Sequence, residues 1–127
     1  MANPVCLIAG AGPGTGGECA RRFASGGYRV AMLARNKERL DALEAEIQGS
    51  RGYVCDVSDL DGLMATAECV RNEMGAPEVV VHNAVSGILE GGGAAKFLED
   101  DPTRLERNFR VNTTSLLYLV RSTAPAM

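Results

Sequence analysis

The sequence predicts a single α/β domain, in which helices connect the strands of a parallel sheet. Two observations predict it. Short apolar runs of strand length alternate along the chain with longer segments whose apolar residues recur at helical spacing. The first of these runs leads at once into a cluster of glycines that precedes a helical segment. The 127 residues have the length of one domain, 1–127.

Four apolar runs predict the strands, and the stretches between them predict the helices. The first run, Val5 to Ala9, is apolar throughout, as expected for a strand buried on both faces. The other strands are expected at 28–33, 52–55 and 78–82, and the helices at 15–25, 37–48, 60–74 and 102–124. Because every strand is followed by a helix, right-handed crossovers are expected. The pattern is typical of a Rossmann-type doubly wound sheet, truncated after about four strands and four helices.

Capping residues and apolar stripes support the predicted helices. Asn36 is placed to cap the second helix, whose inward stripe is Leu40, Leu43 and Ile47. Ser58, with Asp61 three residues later, resembles a capping box before the third helix, and Asp101 is the expected cap of the last. The last helix is expected to bury one face. That face carries Leu105, Phe109, Asn112, Leu116, Leu119 and Thr123.

Composition excludes several classes of function. With 46% hydrophobic and 23% charged residues, the chain has a globular composition rather than that of a disordered or fibrous protein. A net charge of -3 provides no basic surface, so neither nucleic acid nor an anionic membrane is an expected partner. No apolar run reaches the roughly 18 residues of a membrane span, and the N-terminus lacks the pattern of a signal peptide.

The metal-ligating residue types are few and scattered. One histidine, His82, excludes a histidine-rich metal site, so no metal is expected. The cysteines form no Cys-x-x-Cys pair and are expected to be small buried hydrophobic residues in a reducing, cytoplasmic compartment. They are Cys6, Cys19, Cys55 and Cys69.

The glycine-rich turn after the first strand is the strongest local signal. At the start of a helix, free backbone N–H groups and the helix dipole favour a phosphate, and glycine lets the phosphate approach the backbone. The five glycines allow two registers, Gly-x-Gly-x-x-Gly and Gly-x-x-x-Gly-x-Gly. They are Gly12, Gly14 and Gly17 in the first register, and Gly10, Gly14 and Gly16 in the second.

The end of the second strand indicates which dinucleotide is bound. A carboxylate about 20 positions past the glycines would accept from the ribose 2′-hydroxyl of NAD. Here the chain reads Ala34, Arg35 and Asn36 instead. The guanidinium of Arg35 suits a 2′-phosphate, so NADP is expected rather than NAD.

Together these motifs resemble the short-chain dehydrogenase/reductase family over nearly all of the chain. The resemblance rests on the Gly-x-x-x-Gly-x-Gly register, on Asp56-Val57 after the third strand, on His82-Asn83-Ala84 after the fourth, and on Val111-Asn112 in the last helix. It implies that the glycine turn, with Thr15, contacts the cofactor diphosphate and adenosine ribose. It also implies that Asp56 and Val57 hold the adenine, and that Asn83 and Ala84 line the cofactor.

The resemblance also implies a catalytic set that these residues contain only in part. Asn112 matches the family's catalytic asparagine, which holds a water that supports a lysine. A buried amide on an apolar stripe also needs a partner for structural reasons alone. The family's Tyr-x-x-x-Lys pair is absent, because Tyr28, Tyr53 and Tyr118 are not followed by lysine four residues later. His82 is expected to be a packing residue rather than a base.

Two functions remain open at this stage. The first is an NADP(H)-dependent oxidoreductase acting on a small carbonyl or alcohol substrate, of which these residues form the N-terminal half. The alternative is a non-catalytic dinucleotide-binding or assembly module. The apolar last helix, with Leu116 to Val120, is expected to pair with a second copy in a homo-oligomer. The glycine-rich loop from Ser86 to Glu99 is expected to contribute to the substrate pocket.

Overall fold

The computed structural model describes residues 2–85 and 101–127. Their order is strand and helix in alternation, as the sequence predicts. The strands are β1 (Val5–Ala9), β2 (Arg29–Ala34), β3 (Ser50–Val54) and β4 (Pro77–His82). The helices are α1 (Thr15–Ser25), α2 (Lys37–Glu46), α3 (Leu60–Met74), α4 (Pro102–Phe109) and α5 (Ser115–Thr123). The predicted glycine-rich loop from Ser86 to Glu99 lies outside the described residues.

The four strands form one parallel sheet in the order β3-β2-β1-β4. This order confirms the predicted Rossmann-type arrangement, because the chain first winds outward from β1 and then crosses to its other side. The two faces of the sheet carry separate apolar clusters. Leu7 and Leu33 pack with α3 and α5 on one face, whereas Ile8 and Met32 pack with α1 and α2 on the other.

The start of α3 corrects one predicted cap. The N-cap is Asp59, whose side chain accepts from the backbone N–H of Gly62 at 3.1 Å. Ser58 instead donates its hydroxyl to Asp56, two residues earlier in the chain. Both residue types make good caps, so the sequence pattern alone does not distinguish neighbouring positions. The predicted cap of α2 is confirmed, because Asn36 Oδ1 accepts from Arg39 N at 3.0 Å.

The last helix corrects the predicted buried face. A π-helical segment at Arg110–Thr114 joins α4 to α5, and the residues buried along this helix are Val111, Ser115, Leu119 and Thr123. Leu105 and Phe109 are about 59% and 60% exposed. None of the residues of α4 is buried, so the buried stripe begins only at Val111 in the π segment.

The cysteines also differ from expectation. Cys6 and Cys55 are buried, but Cys19 is half-buried and Cys69 is exposed, and all four are free thiols. Cys69 lies on the outer face of α3, where no cover is present in the described part of the chain. Over residues 2–85 and 101–127, none of the helices is both long and apolar enough to cross a membrane.

Candidate functional site

The carboxyl ends of all four strands meet at one edge of the sheet and border a cavity of about 760 Å³. In an open parallel sheet, ligands bind at this edge, where neighbouring strands lead to opposite faces. Here that point lies between β1 and β4. The described lining includes Gly10, Gly12, Arg35, Arg39, Asp56, Val57, Asn83, Ala84, Arg107 and Val111.

Three glycines of the turn are required by the fold itself. Gly10 has φ of +94°, and a Cβ there would lie closer than 3.0 Å to the backbone of Ala84. A Cβ on Gly16 would overlap the carbonyl of Gly10, and a Cβ on Gly17 would lie 2.5 Å from the carbonyl oxygen of Gly12. Real side chains do not tolerate such contacts, so these three glycines allow the turn, α1 and the end of β4 to pack closely.

The other two glycines have no such requirement. A Cβ on Gly12 or Gly14 would meet no protein atom within 4 Å. Gly12 lines the cavity, whereas Gly14 is the exposed N-cap of α1 and Thr15 is its exposed first residue. The space beside these backbone atoms is therefore open to a ligand, and the first N–H groups of α1 lie at the same turn.

The end of β4 is tied to the glycine turn. Asn83 donates its backbone N–H to Ala9 O at 2.8 Å and its Nδ2 to Gly10 O at 3.1 Å. Gly10 N and Ala11 N both donate to Leu33 O, which ties the turn to β2 as well. These bonds hold the turn against the ends of three strands, so the cavity wall is pre-formed.

The end of β2 provides positive charge. Arg35 follows the strand directly, and Arg39 lies in the first turn of α2; both are exposed and line the cavity. The N-terminus of α2 adds the positive end of its dipole beside them. The described lining contains three arginines and one aspartate, although the whole chain has a formal net charge of -3. Such local charge favours an anionic ligand.

The aspartate is held by a chain of hydrogen bonds. Asp56 Oδ1 accepts from the backbone N–H of Ser58 at 2.9 Å and from its hydroxyl at 2.7 Å. Arg107 on α4 donates from Nη1 to Ser58 Oγ at 3.0 Å. Partial burial raises the pKa of Asp56, but the Ser58 hydrogen bonds and the charges of Arg107 and Arg35 outweigh it, so the pKa is lowered overall.

Asn112 lies in the π segment, half-buried rather than fully buried. Its Nδ2 donates to Asn108 Oδ1 at 3.1 Å. Its neighbour Val111 lines the cavity, but Asn112 itself is outside the lining. His82 makes a hydrogen bond of 2.8 Å with Ser115, and burial lowers the pKa of His82. This partner is consistent with the packing role expected for His82.

Among the lining residues that the sequence did not predict, Gly12, Arg39 and Arg107 bear most directly on the ligand. Gly12 belonged to the register that was set aside, and Arg39 had a signal, since it lies one helical turn past the predicted cap. Arg107 had none, because its contact with Ser58 spans 49 positions of the chain. Glu18, in the first turn of α1, pairs with Arg21 at 2.7 Å and lies outside the described lining.

The arrangement fits the parts of a dinucleotide. The open backbone beside Gly12 suits a diphosphate, and the arginines after β2 suit a further phosphate. The ionised carboxylate of Asp56 can accept a hydrogen bond from an amino group. The apolar wall formed by Ala84 and Val57 suits a flat aromatic base.

Known proteins match both this sequence and this fold. Epidermal retinol dehydrogenase 2 of Homo sapiens is 33% identical, and the match spans 100% of this chain but 41% of that protein. D-threitol dehydrogenase of Mycolicibacterium smegmatis is 36% identical over 63% of this chain and 32% of its own length. This chain therefore spans less than half the length of these curated relatives.

Solved structures agree over the whole chain. A metagenomic short-chain oxidoreductase in complex with NADP superposes with a TM-score of 0.90 and 32% identity, covering 100% of this chain and 57% of that one. An NAD⁺-bound xylitol dehydrogenase superposes with a TM-score of 0.86 and 27% identity, covering 99% of this chain and 48% of that one. The sequence profile described as short chain dehydrogenase matches residues 4–127. The chain therefore belongs to the short-chain dehydrogenase family.

Proposed function

We propose that this chain is the nucleotide-binding part of an NADP(H)-dependent oxidoreductase that interconverts a small carbonyl compound and its alcohol. The observation that carries the choice of NADP over NAD is the end of β2. Arg35 and Arg39 line the cavity there, and the position where an NAD-binding fold has a carboxylate is occupied by Arg35 and its neighbours. Two guanidinium groups and a helix N-terminus would stabilise a 2′-phosphate by charge-assisted hydrogen bonds.

The remaining parts of the cofactor are assigned along the strand ends. The glycine turn, with Gly12, Gly14 and Thr15, would receive the diphosphate. Asp56 would accept from the adenine amino group, and the backbone of Val57 would lie beside the base. Asn83 and Ala84 would line the path toward the nicotinamide. Along this edge of the sheet, the cofactor would run from the adenine at the end of β3, past the diphosphate at the end of β1, to the nicotinamide beside β4.

When bound, the nicotinamide supplies or accepts the hydride. The residues of this chain would bind and orient the cofactor, and Asn112 would contribute to proton transfer by holding a water with its amide. The proton donor itself is not assigned within the 127 residues, since they contain no Tyr-x-x-x-Lys sequence. We therefore expect dinucleotide binding, and no turnover of a carbonyl substrate, from these residues alone.

The test is a calorimetric titration of the purified chain with NADPH and with NADH. We expect tighter binding of NADPH. Arg35→Ala and Arg39→Ala should each weaken NADPH about tenfold or more and change NADH little, because each removes a charge-assisted hydrogen bond to the 2′-phosphate. Arg22→Ala, an exposed arginine on α1 outside the described lining, is the matched control. Equal affinity for both dinucleotides would contradict the assignment of NADP.

The second candidate is a binding or assembly module without its own catalysis. The 127 residues line a cavity suited to a dinucleotide and contain no Tyr-x-x-x-Lys sequence, so they offer binding without an identified proton donor. Two observations separate the candidates. One is the gene sequence that follows the codon for Met127, and the other is an assay of carbonyl-dependent NADPH oxidation by the encoded protein. A longer reading frame that encodes the pair and turns over a carbonyl supports the oxidoreductase. A protein that binds NADPH and contains no such pair supports the module.

Two further proposals concern the state of the protein. We place it in the cytoplasm, because its four free cysteines are compatible with a reducing compartment. We also infer that the exposed apolar residues of α4 and α5 contact a second copy of the chain. These residues include Leu105, Phe109, Leu116, Leu117 and Val120. Sedimentation of the wild type and of Leu117→Lys would test the contact, and a monomeric wild type would contradict it.

A further inference from the structure

We propose that Arg107 is a positioning residue that orients the adenine-binding carboxylate of Asp56 through the hydroxyl of Ser58. The inference rests on the proposed dinucleotide site and adds the residue that sets its preference for adenine. Arg107 joins α4 to the end of β3 across the cavity, because its guanidinium donates a hydrogen bond to the hydroxyl of Ser58.

The donors and acceptors of Arg107, Ser58 and Asp56 allow only one arrangement of hydrogen bonds among the three side chains. A guanidinium only donates, and an ionised carboxylate only accepts. Ser58 Oγ therefore accepts from Arg107 Nη1 at 3.0 Å and donates its single proton to Asp56 Oδ1 at 2.7 Å. The hydroxyl has no rotational freedom left while both bonds are made. The backbone N–H of Ser58 donates to the same oxygen at 2.9 Å.

The consequence falls on the second carboxylate oxygen. Oδ1 already accepts two hydrogen bonds, so the acceptor capacity that remains on Asp56 lies mainly on Oδ2. Oδ2 forms an ion pair with Arg107 Nη2 at 3.8 Å, which is longer than a hydrogen bond. Arg107 therefore fixes the plane of the carboxylate through Ser58, and its charge favours the ionised form, without competing for the lone pairs of Oδ2. Asp56 and Arg107 both line the cavity.

An ionised acceptor of fixed orientation discriminates between bases. It accepts from the 6-amino group of adenine, whereas the 6-oxo group of hypoxanthine presents another acceptor at the same place. Removing the guanidinium frees the Ser58 hydroxyl to rotate. The carboxylate of Asp56 then loses its fixed plane and part of the positive charge that stabilises its ionised form. The loss should therefore affect adenine recognition and leave the 2′-phosphate contacts near Arg35 unchanged.

The experiment compares NADPH, NADH and the hypoxanthine analogue of NADPH as ligands for the wild type and for Arg107→Ala. We expect the variant to bind NADPH and NADH about tenfold more weakly, by the same factor, and the hypoxanthine analogue nearly as well as the wild type does. Arg104→Ala, which removes the same charge from α4 outside the described lining, should change none of the three.

A double-mutant cycle with Ser58→Ala tests whether Arg107 acts through Ser58. If it does, removing Arg107 weakens NADPH binding less in the Ser58→Ala background than in the wild type, whereas independent effects would multiply. Thermal unfolding of each variant identifies loss of fold.

An equal loss of affinity for all three ligands in Arg107→Ala would indicate a merely structural role and overturn the inference. A loss confined to NADPH would make Arg107 a phosphate ligand and would also overturn it.

Failure of the inference and failure of the proposed function are distinguishable. If the wild type binds no dinucleotide, both are wrong. If the wild type prefers NADPH but Arg107→Ala binds every ligand as the wild type does, the proposed function stands and the role of Arg107 is wrong. A ligand-free readout is the carboxyl resonance of Asp56, whose pKa should rise toward its ordinary value in Arg107→Ala.

Discussion

His82 at the end of β4 and Ser115 at the start of α5 are joined by a hydrogen bond of 2.8 Å between Nε2 and Oγ. The hydroxyl of Ser115 also donates to the carbonyl of Val111 at 2.5 Å. Because a hydroxyl has one proton and a carbonyl only accepts, Nε2 of His82 must be the donor. The imidazole is therefore held with its proton on Nε2, and it ties β4 to the π segment that contains Asn112.

The pH dependence of stability should report on His82, because the chain has no other histidine. Burial lowers the pKa of His82 in the folded chain below its ordinary value of 6.5. As the pH falls below 6.5, the unfolded chain binds a proton before the folded chain does, so the free energy of unfolding decreases down to the folded-state pKa. Urea titrations across this window measure it. His82→Gln, which keeps an amide donor, should show a flatter dependence, and an unchanged slope would contradict the prediction.

Ser115→Ala should destabilise the chain. The variant leaves Nε2–H of His82 and the carbonyl of Val111 without the hydroxyl at a fully buried position. A buried polar group that loses its partner costs about 1–3 kcal/mol of the free energy of unfolding. The matched control is Ser122→Ala, whose half-buried hydroxyl donates only to the carbonyl of Tyr118 in the same helix among the bonds described. Denaturant midpoints that fall equally in both variants would contradict the prediction.

Substitutions at two glycines of the turn should separate folding from binding. Gly16→Ala places a methyl group against the carbonyl of Gly10, and overpacking of this kind costs about 1–3 kcal/mol or more. Gly12→Ala meets no protein atom within 4 Å and points into space at the cavity, so its stability should equal that of the wild type. Its affinity for NADPH should fall, because the methyl group blocks approach to the backbone. Calorimetry and thermal unfolding measure both quantities, and wild-type affinity in a folded Gly12→Ala would refute this reading.

The cap of α3 offers a test of the corrected helix start. Asp59→Ala removes the side chain that accepts from Gly62 N, at a cost of about 1 kcal/mol in the free energy of unfolding. Asp61→Ala, which changes the acidic residue of the predicted capping box, should cost less because the described hydrogen bonds of the cap come from Asp59. Urea unfolding of the two variants compares them directly. A larger loss for Asp61→Ala would restore the predicted box.

The elements of the fold were predictable because their signals are local. Val5 to Ala9 is apolar without interruption, and α2 has both its cap at Asn36 and its stripe of leucines within one helix length. Small errors arose where two neighbours have similar chemistry, as at Ser58 and Asp59. The larger error concerned α4, which buries none of its residues although its apolar residues recur at helical spacing. Spacing identifies the apolar face of a helix, but whether another element covers that face depends on tertiary packing.

The sequence by itself determined the parallel α/β architecture, the glycine turn after β1, the basic residue after β2 and the membership of a family. These follow from periodicity and from motifs contained in one strand–turn–helix unit. Only the tertiary structure decided which glycines the fold requires and which side chains meet across the cavity. Arg107 with Ser58, and His82 with Ser115, are pairs separated by 49 and 33 positions. Contacts at that separation depend on how helices pack on the sheet, and no local pattern encodes them.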